Sequence, residues 1–118
     1  MKHDHIADMT KGWFVGDFSP SVARSVNCEV GVKSYPAGAY EAAHCHKIAV
    51  EITAIVSGSA RMFGCVFGAG DIITIEPGEI TDFEALTDTV TVVVKLPSVA
   101  GDKYLASADE GFVKAEEA

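Results

Sequence analysis

Two histidines one residue apart, His44 and His46, with a carboxylate five residues further on, Glu51, are the side chains here best suited to chemistry. On a strand, residues i and i+2 project from the same face, so His44 and His46 would present two imidazoles together. A pair of that kind is half of a divalent metal site. Glu51 stands at an odd separation from His46 and would point away on an unbroken strand. Lys47-Ile48-Ala49-Val50 gives room for a reversal that could bring it back. Two neutral nitrogens and one anionic oxygen are borderline-to-hard donors that suit iron, manganese, zinc or nickel and leave metal positions open for a ligand. Such a metal polarises a carbonyl, a carboxylate or an enediol, or binds dioxygen if it is iron. His3 and His5 repeat the spacing at a terminus and are read as a solvated end. Cys45, between the two histidines, should face the other way into packing.

The elements that must position these residues are strands. Residues 27–33 alternate apolar with polar or small positions, the period-2 pattern of a half-buried strand. Residues 48–56 are β-branched and stop at Ser57-Gly58; residues 60–62 and 65–67 read as a tight hairpin with Gly64 available for positive φ. Residues 71–75 form another strand, closed by Glu76-Pro77-Gly78. In 89–96, Val90, Val92, Val94 and Leu96 share one face, and Pro97 ends the run. Turn signals every ~8–12 residues with little helical periodicity predict an all-β sandwich or barrel. Trp13-Phe14-Val15 is a possible first strand, and Trp13, Phe14 and Phe18 could cover an edge strand or meet a second subunit. Residues 101–118 hold five acids and two lysines, and their Ala-rich end could form a helical turn or fray.

Composition narrows the function classes. The 118 residues carry 9 Lys+Arg against 17 Asp+Glu, a net charge of −8, which disfavours nucleic acid and anionic membrane surfaces as partners. At 48% hydrophobic and 22% charged, the chain can build one core, and its length predicts a single domain. No run approaches the ~20 apolar residues of a spanning helix, and the start lacks the apolar stretch of a signal peptide, so the expected location is the cytoplasm. Cys28, Cys45 and Cys65 are odd in number and show no C-x-x-C spacing; they are expected to be buried, reduced thiols.

The segment from Gly38 to Gly58 reads G-x5-H-x-H-x4-E-x6-G, with Gly38, His44, His46, Glu51 and Gly58 at its defined positions. It resembles the first signature motif of the cupin superfamily. The second motif is partly present: Gly70-Asp71 opens it and Gly78 closes its turn, whereas Thr81 stands in place of the usual histidine and Ala85 in place of the asparagine. The resemblance implies a small antiparallel β-barrel of jelly-roll type, a single domain over 1–118 with its core at about 26–97, an N-terminal arm over 1–25 and an acidic tail over 101–118. It also implies one divalent metal per chain held by His44, His46 and Glu51, and a homodimer; the fourth position is left to solvent or substrate, or to Asp82 or Thr81 as a protein ligand. Asp82 would face away in a regular strand and needs a bulge to swing in. Asp82 or Glu41 is a candidate base, and Tyr40 and Arg61 could reach the cavity mouth. The functional expectation is a metal-dependent enzyme acting on a small, oxygen-rich molecule, of isomerase, lyase or oxygenase type. The alternative is a non-catalytic module that binds a small molecule or metal for sensing.

Overall fold

The strand most legible in sequence, Thr89–Leu96, is the spine of the molecule in the computed structural model, which describes residues 1–107 and 111–114. Thr89, Thr91 and Val93 are buried, whereas Val90, Val92 and Val94 are half-buried on the opposite face. The valine stripe is therefore the outer side of its sheet, and the inner side carries hydroxyls and a lysine.

Among the described residues the strands are β1 (Trp13–Gly16), β2 (Ala23–Arg24), β3 (Glu29–Tyr35), β4 (Tyr40–Cys45), β5 (Val50–Ser57), β6 (Ser59–Met62), β7 (Cys65–Gly68), β8 (Ile72–Ile75), β9 (Thr81–Ala85), β10 (Thr89–Leu96), β11 (Tyr104–Ser107) and β12 (Gly111–Lys114). One sheet has the order β2-β1-β3-β10-β5-β8, the other β12-β11-β4-β9-β6-β7. The pairings are antiparallel except β1 with β2. The expected barrel is thus a jelly-roll sandwich: neither sheet closes on itself, and strands cross between two facing six-stranded layers. A single 3-10 turn, Ile6–Asp8, is the helical content of the described residues. Within the acidic tail, β11 and β12 are strands, because β11 pairs with the edge that β4 would otherwise leave open, Tyr104 opposite Cys45 and Leu105 opposite His44. The Ala-rich end, residues 115–118, lies outside the described residues.

The apolar core lies between the two sheets, where Ile55, Met62, Ile73, Ile75 and Phe83 pack with Ala60 and Ala85. Burial of this aliphatic set holds the two layers together. The β6–β7 hairpin closes through Phe63 and Gly64, both at positive φ (51° and 69°), which is the two-residue type I′ geometry that matches strand twist. Gly58 links β5 to β6 at φ 87°, and a Cβ there would stand 2.2 Å from the Asp88 carbonyl oxygen. That motif glycine is fixed by space as well as by backbone angle.

Candidate metal and ligand site

Beside this core, and bordered by its Phe83, a cavity of about 610 Å³ opens that both sheets line. Cross-strand partners share a face, so register alone builds its floor on the first sheet. Glu29, Lys95 and Glu51 form one row; Gly31, Val93 and Thr53 the next; Lys33, Thr91 and Ile55 the third. Lys95 Nζ stands 3.8 Å from Glu29 and 4.9 Å from the centre of the Trp13 ring. The Trp13 indole lies against Gly31, where a Cβ would come within 2.8 Å of it. Lys33 flanks the same ring at 5.4 Å and donates to the Lys11 carbonyl, and burial lowers its pKa.

The opposite wall is β4. Glu41 pairs with Phe83 and His44 with Thr81, so three steps along β4 match two along β9. This bulge puts Glu41 and His44 on one side despite their odd separation, and both line the cavity. The chain leaves β4 after Cys45, and His46 begins the reversal into β5, its carbonyl accepting the Gly78 N–H at 2.7 Å. Glu51, in β5, returns to the same cavity. His44 and His46 meet edge to face with ring centres 5.5 Å apart.

Each imidazole is held through Nδ1. His44 Nδ1 lies 2.9 Å from the Ala42 carbonyl, and His46 Nδ1 bonds the Asp102 carbonyl. A carbonyl only accepts, so both Nδ1 atoms carry a proton, and in the neutral rings both Nε2 atoms are the acceptors. His46 Nε2 faces Glu51 Oε1 at 3.3 Å, while Thr53 Oγ1 donates to Glu51 Oε2 at 3.2 Å. Burial pushes the His44 pKa down. Burial alone would raise Glu51, but the hydrogen bond and charge of His46, with Lys95 and His44, outweigh it and leave the carboxyl below its usual value. The Tyr35 hydroxyl donates to Glu41 Oε1 at 2.8 Å, and burial, then the Glu41 charge, raise the phenol well above its ordinary pKa.

The structure therefore gathers His44, His46, Glu51 and Glu41, and leaves out both candidates for a fourth ligand. Asp82 projects from the other side of β9 and takes the Tyr40 hydroxyl at 3.0 Å on an exposed surface. Thr81 is buried beneath the β6–β7 hairpin, where its Oγ1 accepts the Phe63 N–H and donates to the Asp82 carbonyl. Strand parity keeps Asp82 outward, because the bulge lies in β4 and not in β9. Arg61 and Tyr40 are exposed and pair with Glu84 and Asp82, away from the cavity. Cys45 is buried, as its position predicts, and Cys28 partly so; Cys65 is exposed on β7, contrary to expectation. Trp13 and Phe18 line the cavity, whereas Phe14 sits in a smaller apolar hollow with Ile6, Met9 and Val22.

Four contributors escaped the sequence reading: Asp102, Tyr35, Thr53 and Lys95. Thr53 and Lys95 could have been found from register, as the inward neighbours of Glu51. Asp102 carries no local signal. Among the described residues, no three His, Cys, Asp or Glu side chains converge tightly enough to hold a metal ion without adjustment; the closest approach is His46 to Glu51.

No family model matches the chain, and no curated protein matches it. Solved structures do. An uncharacterised conserved protein with a double-stranded β-helix domain from Klebsiella pneumoniae matches at 24% identity over 79% of this chain and 74% of that one, with a TM-score of 0.59. The DMSP lyase DddQ from Ruegeria pomeroyi matches at 22% identity over 89% of this chain and 56% of its own, TM-score 0.65. An RmlC-like cupin protein from Ralstonia eutropha matches at 18% identity over 77% of this chain and 59% of its own, TM-score 0.61. The chain thus spans little more than half of the latter two, and at these identities the likeness concerns the fold.

Proposed function

Given a chain with the cupin fold, we propose that the cavity holds one divalent metal ion at His44, His46 and Glu51, beside a small, oxygen-rich ligand, and that the protein is an enzyme of isomerase, lyase or oxygenase type. The observation that carries this reading is the pair of locked tautomers. With the imidazole neutral, His46 Nε2 and Glu51 Oε1 are two acceptors 3.3 Å apart, an arrangement that a shared cation relieves. His44 presents a second free Nε2 into the same cavity. The donor set fits iron, manganese, zinc or nickel.

When bound, the metal would supply Lewis-acid polarisation of a ligand oxygen. The chain's own residues do the rest. Glu41 enters the cavity from the same wall as His44 and is oriented by the Tyr35 hydroxyl, which makes it the base in place of Asp82. Phe83, Val93, Trp13 and Phe18 supply the apolar wall that limits water around the ligand.

One feature favours the alternative of binding without turnover. Each carboxylate lining the cavity has a protein partner: Glu29 with Ser98 and Lys95, Glu41 with Tyr35, Glu51 with Thr53, Asp17 with Arg24, and Asp102 with backbone amides. Turnover would require Glu41 to exchange its Tyr35 bond for a ligand proton.

Elemental analysis of protein purified without added metal tests the core of this proposal. One divalent ion per chain is expected; a His44→Ala/His46→Ala protein that retains as much metal as the wild type refutes the site. We also propose a homodimer joined through the outer face of the first sheet, where Val32, Val92, Ala54 and Ile72 stand in one cross-strand row and Val30, Val94 and Ile52 in the next. Sedimentation equilibrium should show a dimer that Val92→Lys dissociates.

A further inference from the structure

Asp102 lies 56 residues from His46, in the segment leading into β11, and is 7% exposed. Its carboxylate accepts three successive backbone amides: Lys47 N at 2.9 Å, Ile48 N at 3.1 Å and Ala49 N at 2.9 Å. Its main-chain carbonyl accepts the Nδ1–H of His46. One residue thus grips both the ring and the stretch of backbone that follows it.

Successive amides converging on one anion form a concave backbone nest, and bonds to an ionised acceptor are about twice as strong as neutral ones. The stretch held in this way is the reversal between β4 and β5. That reversal is what sets Glu51 against His46, which an unbroken strand would forbid. Ala49 is 2% exposed, so its amide would lack a water partner if the carboxylate were removed. Both carboxylate oxygens are taken by these amides, so Asp102 is not itself an available ligand.

We propose that Asp102 is a positioning residue for the metal site: its side chain fixes the path of residues 47–49, and its carbonyl fixes the His46 ring with Nε2 turned toward Glu51. The proposal rests on the reading of His46 and Glu51 as ligands for its functional meaning, while the positioning is a property of the metal-free chain. It also makes the docking of β11 on β4 a condition for a formed site.

The experiment uses the full chain and two readouts. Long-range nitrogen–proton NMR of the metal-free protein reports the histidine tautomers, amide exchange reports residues 47–49, and titration with Zn²⁺ reports the site. In the wild type, His46 should carry its proton on Nδ1, and the Ala49 amide should exchange slowly. In Asp102→Asn, one side-chain oxygen still accepts from Lys47, but the NH₂ group meets the Ala49 N–H donor to donor. Ala49 exchange should then accelerate, the His46 tautomer should become mixed while that of His44 stays fixed, and Zn²⁺ affinity should fall on the order of ten- to a hundredfold. A wild-type His46 protonated on Nε2 and not on Nδ1 overturns the proposal, and does so even if the variant does not fold. So does an Asp102→Asn protein with unchanged tautomer, Ala49 exchange and Zn²⁺ affinity. A wild type that binds no Zn²⁺ yet shows the tautomer and its dependence on Asp102 removes the metal reading and leaves the positioning role standing.

Discussion

His46 Nε2 and Glu51 Oε1 face each other at 3.3 Å, and in the neutral imidazole no proton lies between them, because its single proton is committed to the Asp102 carbonyl. In that tautomer two acceptors oppose each other, and the contact becomes favourable when a cation enters. Glu51→Gln separates the two states. Its amide can donate to the neutral Nε2, so the metal-free variant should gain about 1 kcal/mol of stability. Metal content should fall steeply in the same variant. Urea unfolding alongside elemental analysis checks both, and a variant that is less stable and still fully loaded contradicts the geometry.

Thr81→Ala and Asp82→Asn should leave metal stoichiometry unchanged, since neither side chain lines the cavity. His46→Ala should remove most of the metal. Thr81→Ala should instead lower stability by about 1–3 kcal/mol, because the Phe63 N–H loses its acceptor. Loss of metal on Asp82→Asn would mean that β9 rearranges to bring the aspartate inward.

The pH dependence of the metal-free protein follows from His44, whose pKa burial lowers. With the folded value below the unfolded ~6.5, the unfolded chain takes up the proton first as pH falls. Stability should therefore decline below about pH 6.5 and stop declining on this account once the folded value is passed. Glu51, held below its usual value by His46, Lys95 and His44, adds a second decline as pH falls from about 4.3 through its folded pKa. Urea midpoints measured from neutral to mildly acidic pH should show the first decline, and His44→Gln should flatten it.

The motif glycines should differ sharply in tolerance. Gly38 has φ 89° with nothing within 4 Å of the point a Cβ would occupy, so Gly38→Ala should cost only the left-handed backbone penalty of about 1–2 kcal/mol. Gly58 has φ 87° and the Asp88 carbonyl at 2.2 Å, so Gly58→Ala should cost about 3 kcal/mol or more. Thermal unfolding of the two variants gives the order directly.

Much of the site was legible because strand parity is a strong rule. It demanded a reversal before Glu51 and turned Asp82 outward, and the structure has both; His46 lies past the end of β4, so its place beside His44 comes from the turn and not from strand parity. Parity does not say which side of a strand is inside, and so the valines of β10 gave no warning that Thr91 and Lys95 line the interior. Nor does it foresee a bulge, which is why Glu41 and His44 share a wall that their spacing denies them. Asp102 was invisible for a different reason. Its role comes from the β11–β4 pairing, a contact between distant parts of the chain, and an aspartate in an acidic tail looks like any other. The layer architecture was readable from turn spacing, but whether the sheets close depends on strand tilt and stagger, which the pattern of residues does not encode.

Trp13 is the single tryptophan of the chain, and its ring lies flat on Gly31 at the cavity wall between two ammonium groups. The protein consequently has an intrinsic optical probe built into the site. Ultraviolet emission comes from one indole in one environment, and anything that enters the cavity and draws Lys33 or Lys95 away changes the field across that ring. Occupancy can be followed by fluorescence in the unlabelled chain, which turns a screen of small molecules into a direct spectroscopic titration.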